Sequence, residues 1–141
     1  MKSKIIGSIV AVMFMFVASA AMAGGHVTPT APADYLSKKA PKKASKKALE
    51  KGAKTYKKKC KKCHGSKGDG KGTSAEGLKV APTAFSAAGY MKGRSDGQLY
   101  WIIEKGSEGT DMEAFGLGTD ANLSEKKIWR VIQYMQKEFT K

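Results

Sequence analysis

Hydrophobic residues recur at helical spacing in three segments of the chain, and each segment predicts an α-helix. The first runs from about Lys46 to Lys62, and its apolar stripe ends in two cysteines. The second begins at Ser95, where Ser95 and Gln98 are predicted to form a capping box, and it ends at Gly106. The third starts after Ser124. No segment alternates polar and apolar residues as a strand would, so the pattern predicts an all-α fold with glycine-rich connecting loops.

The amino terminus has the pattern of a secretory signal peptide. Lys2 and Lys4 precede an apolar stretch, and Ala21, Met22 and Ala23 form the small-x-small sequence that signal peptidases cut. Cleavage after Ala23 would give a mature protein in the periplasm. An uncleaved membrane anchor stays open, because the apolar stretch approaches the roughly 20 residues that span a bilayer.

Composition divides the remaining chain into two parts. Residues 24–45 are rich in Lys, Ala and Pro and poor in large apolar side chains, which predicts a flexible basic leader. Residues 46–141 are then one domain. The 141-residue chain has 26 Lys plus Arg, 12 Asp plus Glu and a formal net charge of +14. Its length excludes a large multidomain enzyme, and its charge predicts anionic partners.

The motif with the most specific chemistry is the run from Cys60 to His64, in which Cys60 and Cys63 are three residues apart. On a helix, both thiols and the imidazole project toward one side. A Cys-x-x-Cys-His run is a haem-attachment signal, with two thioether bonds and the histidine on the iron. Four alternatives are weaker: a zinc site lacks further ligands, a thioredoxin-like redox pair lacks a βαβ context, a disulfide leaves His64 without a role, and the run could occur by chance.

A haem iron has a second axial position, and three methionines follow the predicted cleavage site. Met112 lies in a glycine-containing loop that can fold over a flat ligand and present its thioether, so we predict it as the second axial ligand. Met91, just before the second helix, is an alternative. Met135 lies on the apolar stripe of the third helix, where methionine usually fills the core.

With these residues, the chain resembles the class I c-type cytochromes over about residues 46–141. That family has a glycine eight residues and an aromatic residue four residues before the first haem cysteine, and Gly52 and Tyr56 match both. The resemblance implies a cytochrome c fold, three main helices around one covalent haem c, in which the terminal helices cross at Gly52. Tyr134 is the expected aromatic partner in the last helix.

The resemblance also implies contacts around the haem. Pro82 resembles the loop proline whose carbonyl accepts the proton of the proximal imidazole, here that of His64. Trp101 is expected to reach a propionate or pack on the porphyrin, and Arg94 to pair with a propionate. Ordinary core packing and a solvated charge stay open for these last two residues.

The function implied by the resemblance is single-electron transfer by a monomeric carrier, and not enzymatic catalysis. Acidic redox proteins are the expected partners, an anionic membrane surface is a second one, and nucleic acid is not expected. If Met112 is not a ligand, the alternative is a five-coordinate haem protein that binds small gases or acts as a peroxidase. Glu113 stands where many relatives have proline, which predicts a less rigid methionine loop. The expected docking surface consists of exposed lysines near the haem edge: Lys57, Lys58, Lys59, Lys61, Lys62, Lys67 and Lys71.

Overall fold

A computed structural model describes residues 27–41 and 43–140. The predicted signal peptide, its cleavage after Ala23 and the first residues of the leader lie outside this part of the chain. No strand occurs in the described ranges, so the all-α prediction is confirmed. None of the described helices is long and apolar enough to span a bilayer. The helices are α1 (Ala33–Leu36), α2 (Lys46–Lys59), α3 (Lys61–His64), α4 (Asp96–Lys105) and α5 (Glu125–Phe139).

The helix boundaries follow the local sequence signals. The first predicted helix occurs as α2 and α3, which meet at Cys60, where the backbone φ is −112°. The Ser95 hydroxyl accepts a hydrogen bond from the Gln98 amide at 3.2 Å and caps α4. Gly106 ends that helix with a φ of 80°, a conformation that glycine adopts without strain. Both predicted ends of the second helix are therefore confirmed, and so is the predicted start of the third helix after Ser124.

The longest helices, α2 and α5, cross at Gly52. A β-carbon on Gly52 would overlap the carbonyl oxygen of Arg130 and lie 2.9 Å from the β-carbon of Tyr134. The ring centroids of Tyr56 and Tyr134 are 5.5 Å apart beside this crossing. The predicted crossing and its aromatic partner are thus both observed, because only a residue without a side chain lets the two backbones come this close.

The segment predicted as a flexible leader is packed against α4 in its described part. The Gln98 side chain accepts from the Ala31 amide at 2.8 Å and donates to the Pro29 carbonyl at 3.0 Å. It is therefore not available to close the predicted capping box with Ser95. Composition alone suggested disorder because the segment has few apolar side chains, but its backbone polar groups find partners on α4.

Candidate functional site

A mostly apolar cavity of about 280 Å³ lies among α3, α4, α5 and the loops that connect them. Cys60, Cys63 and His64 line it, and so does Met112. The structure therefore brings together the four residues that the sequence predicts to hold a haem. Aliphatic and aromatic side chains supply most of the remaining wall: Leu78, Val80, Phe85, Leu99, Ile102, Ile103, Phe115, Leu123 and Val131.

The two cysteines are half-buried free thiols at the junction of α2 and α3. Burial, with the neighbouring Cys63, raises the pKa of the Cys60 thiol to about 12. A thiol that stays protonated at neutral pH is unsuited to a redox pair of the thioredoxin type, which needs a lowered pKa. Among the described residues, no group of three or more His, Cys, Asp or Glu side chains is arranged to hold a metal ion. The donor set thus fits a porphyrin held by thioethers better than a zinc ion.

His64 is buried and oriented from two sides. Its Nδ1 lies 3.1 Å from the carbonyl oxygen of Thr83, and its ring stacks on Phe85 with centroids 4.3 Å apart and planes 21° apart. Burial lowers the pKa of the imidazole, although the Thr83 carbonyl acts in the opposite direction. A neutral ring that donates from Nδ1 leaves the Nε2 lone pair available for iron.

The carbonyl that meets His64 is a correction to the sequence prediction, which assigned this role to Pro82. The Pro82 carbonyl oxygen instead packs against Gly70, where an added β-carbon would overlap it. The next carbonyl, that of Thr83, faces the imidazole. Pro82 itself lines the cavity.

Met112 is half-buried in a loop that is closed by hydrogen bonds among Ser107, Thr110 and Met112. Its amide donates to the Thr110 hydroxyl at 3.1 Å, and that hydroxyl donates to the Ser107 carbonyl at 2.7 Å. The Ser107 amide donates to the Met112 carbonyl at 2.9 Å. These bonds restrain the loop although Glu113 replaces the proline of many relatives.

The other two methionines differ in their relation to the cavity. Met91 is buried in the core at 4% exposure and, within the described part of the chain, does not contribute to the cavity wall. Met135 is buried at 2% exposure and does line the cavity, from α5. Met112 is thus the methionine that reaches the cavity from a loop, whereas Met135 packs in the core and also lines the cavity wall.

The structure does not bring Trp101 and Arg94 to the cavity, whose wall in the described residues includes neither. Trp101 is two residues beyond Leu99 on α4, so it points away from the face that carries Leu99 and Ile103. The Arg94 guanidinium lies 5.0 Å from the Tyr90 ring centroid, in a cation–π contact.

Two contributors to the site were not predicted from the sequence. The buried Tyr56 hydroxyl donates to the Gly65 carbonyl at 2.8 Å, directly after the haem-attachment run. The sequence identified the ring of Tyr56 but gave no signal for its hydroxyl. Thr28 also lines the cavity, although it lies in the segment predicted as a flexible leader. Its contribution depends on a tertiary contact far away in sequence, which no local pattern shows.

Comparisons with known proteins agree with this donor set. Residues 47–135 match the family model described as cytochrome c oxidase, cbb3-type, subunit III. A solved chain of the Kuenenia stuttgartiensis reducing HAO-like protein complex Kustc0457/Kustc0458 is similar in structure, with a TM-score of 0.59 and 26% sequence identity. The match covers 71% of this chain and 47% of that chain, so this protein spans less than half of the neighbour's length. No curated protein matches the sequence.

The family match extends over all of the cavity's lining residues except Thr28, and it includes Cys60, Cys63, His64 and Met112. The domain type and the donor chemistry therefore agree on the cofactor. The chain belongs to the c-type cytochrome family whose model is described as cytochrome c oxidase, cbb3-type, subunit III, and its cofactor is a covalently bound haem c.

Proposed function

We propose that this chain is an exported monohaem c-type cytochrome that carries single electrons between redox partners and is not an enzyme. The observation that carries the proposal is that Cys60, Cys63, His64 and Met112 line one apolar cavity. When bound there, the haem supplies a one-electron Fe(III)/Fe(II) couple. A nitrogen from His64 and a sulfur from Met112 would fill both axial positions and leave no position for a substrate.

Each group around the cavity has a distinct part in this function. The cysteines anchor the porphyrin, and the Thr83 carbonyl fixes the tautomer and orientation of His64. The hydrogen-bonded loop holds the Met112 thioether in place. With the haem bound, the apolar wall would exclude water from the iron, and this exclusion would disfavour the more highly charged ferric state and raise the reduction potential.

A test of the methionine ligand distinguishes the electron carrier from the five-coordinate haem protein. We expect ferric wild-type protein to show a methionine–iron charge-transfer band and ferrous protein to resist carbon monoxide. Met112→Ala should lose the band and bind carbon monoxide readily. Met135→Leu is the matched control, because Met135 lines the same cavity from α5, and it should behave as the wild type does. Carbon monoxide binding by the wild-type protein would favour the gas-binding or peroxidase alternative.

Acidic redox proteins are the partners that we propose, through the lysines that surround the haem-attachment run. Lys59 is exposed and lines the cavity. Four more exposed lysines border a second hollow of about 330 Å³. Within the described ranges the ion pair observed is that of Lys105 with Glu104. The lysines around the haem-attachment run form no ion pair there, so their positive charge is not compensated. Such a surface steers anionic partners toward the haem, with rates that fall as salt rises. The lysines of the hollow are Lys57, Lys61, Lys62 and Lys71.

Charge reversal next to the haem tests this surface. The double variant Lys61→Glu/Lys62→Glu should slow oxidation of the ferrous protein by anionic ferricyanide and speed oxidation by a cationic cobalt(III) complex. The control Lys126→Glu/Lys127→Glu makes the same charge change at the start of α5, on exposed residues outside both cavities. Equal effects of both pairs would show that net charge, and not the local surface, governs the rate.

The proposed location is the periplasm, after cleavage behind Ala23. The signal-peptide pattern of residues 1–23 supports this proposal. Sequencing of the mature amino terminus should begin at Gly24. Flotation with anionic and neutral vesicles should show whether an anionic membrane surface is a second partner, and size-exclusion chromatography should show a monomer.

A further inference from the structure

Residues 28–41 precede the segment that matches the cytochrome family, yet they reach the haem cavity. The family match begins at residue 47. Thr28 nevertheless lines the cavity together with Cys60 and Met112. Thr28 is also only partly exposed, and Ala31, three residues later, is buried at 4% exposure. We refer to residues 28–41 as the strap.

Gln98 holds the cavity end of the strap. Its side-chain oxygen accepts from the Ala31 amide at 2.8 Å, and its side-chain nitrogen donates to the Pro29 carbonyl at 3.0 Å. Gln98 is 6% exposed, so the bond to the Ala31 amide is buried and the bond to the Pro29 carbonyl is partly buried. A buried amide that lost these partners would leave polar groups unsatisfied on both segments, which makes the closed arrangement strongly preferred.

The middle of the strap is anchored on the same helix. The Tyr35 hydroxyl donates to the Glu104 carboxylate at 2.5 Å, and Tyr100 donates to the other carboxylate oxygen at 3.2 Å. Gly97 lets α4 approach, because a β-carbon there would overlap the Tyr35 carbonyl oxygen. The contacts from Gln98 to Glu104 therefore extend along α4 and fix the position of the strap relative to the cavity.

We propose that the strap covers one edge of the haem, that Gln98 keeps this cover closed, and that the cover raises the reduction potential by limiting solvent access. The physical basis is that water stabilises the ferric state more than the ferrous state, so exposure of the haem lowers the potential. This inference rests on a haem in the cavity, which is part of the proposed function.

The test compares Gln98→Ala with Gln133→Ala in the full haem-loaded protein. Gln133 is the matched control because it donates to Pro41 at an exposed position near the end of the strap, away from the cavity. Opening is measured by hydrogen exchange at Ala31 and by trypsin cleavage after Lys38 and Lys39. The degree to which the strap shields the haem from solvent is measured by the reduction potential.

We expect Gln98→Ala to speed exchange at Ala31 by about tenfold or more, because the Ala31 amide loses its buried acceptor and the Pro29 carbonyl its partly buried donor, and to lower the potential. Gln133→Ala should change neither. Gln98→Glu keeps the acceptor for Ala31 but loses the donor to Pro29, so it should give an intermediate exchange rate and guards against a general packing defect. Far-ultraviolet circular dichroism should confirm that each variant is folded.

Two results would overturn the inference. If exchange at Ala31 rises while the potential stays at its wild-type value, the strap opens but does not cover the haem. If exchange is unchanged in Gln98→Ala, the strap is not held by this residue. Failure of the proposed function has a different signature, because wild-type protein would then bind carbon monoxide or lack the methionine–iron band.

Discussion

The substitution Gly52→Ala tests the helix crossing on which the haem cavity is built. A β-carbon at this position would overlap the Arg130 carbonyl oxygen, with the carbonyl carbon at 2.8 Å and the Tyr134 β-carbon at 2.9 Å. The first obstacle is backbone within α5 and not the tip of a flexible side chain. Relief therefore requires that α2 and α5 move apart.

The expected free-energy change combines two opposing effects. Alanine is better than glycine in a helix by about 1 kcal/mol, which favours the variant. Overpacking costs about 1–3 kcal/mol, and the rigid obstacle at Arg130 places this site near the upper end. The free energy of unfolding should therefore fall by about 2 kcal/mol in the variant. At about 4–8 °C per kcal/mol for a domain of this size, the melting temperature should fall by about 10 °C.

Urea denaturation followed by circular dichroism, on protein with full haem content, measures this change. Gly93→Ala is a suitable control, because a β-carbon there would lie 3.3 Å from its nearest neighbour, the Gly89 carbonyl oxygen, in a loop outside the crossing. It should alter stability by less than about 0.5 kcal/mol. A Gly52→Ala protein that is as stable as the wild type would refute the close approach of α2 and α5.

Three further predictions concern the site and the buried tyrosines. Tyr56→Phe should lower the free energy of unfolding by about 1–3 kcal/mol, because it leaves the buried Gly65 carbonyl without its 2.8 Å partner. Urea denaturation would measure this change, and an unchanged free energy of unfolding would contradict the assigned bond. Thr110→Val should weaken the methionine–iron band and speed binding of external imidazole, since it removes two bonds of the Met112 loop. Stability should fall above about pH 10, because burial or hydrogen bonding raises the folded-state pKa of the tyrosines, so that the unfolded chain loses its protons first; a flat urea midpoint between pH 9 and 12 would contradict this. These tyrosines are Tyr35, Tyr56, Tyr100 and Tyr134.

The local parts of the fold were predictable because short-range signals determine them. Apolar spacing predicted α2, α4 and α5, the Ser95 cap marked the start of α4, and the Cys-x-x-Cys-His run predicted the first half of the haem site. The resemblance to the class I c-type cytochromes predicted the crossing at Gly52, and the absence of a side chain there explains how the two helices come so close.

The parts that sequence reasoning missed depend on contacts between distant segments. Composition predicted a flexible leader, but Gln98 and Glu104 on α4 supply the hydrogen bonds that order its described residues. Because the Gln98 side chain bonds these residues, it does not bond Ser95, and the predicted capping box is only half formed. The His64 imidazole meets the carbonyl of Thr83 and not that of Pro82. The two carbonyls are one residue apart, and sequence spacing does not show which of them faces the imidazole.

The most direct test of the account is the mass of the mature chain under denaturing conditions, after production in a host that attaches haem to exported proteins. Covalent attachment predicts that the mass of the chain exceeds that of the polypeptide by one haem. The variant Cys60→Ala/Cys63→Ala should lack this increase. A mass equal to the bare polypeptide, with pigment that acidified acetone extracts or with no pigment at all, would contradict it.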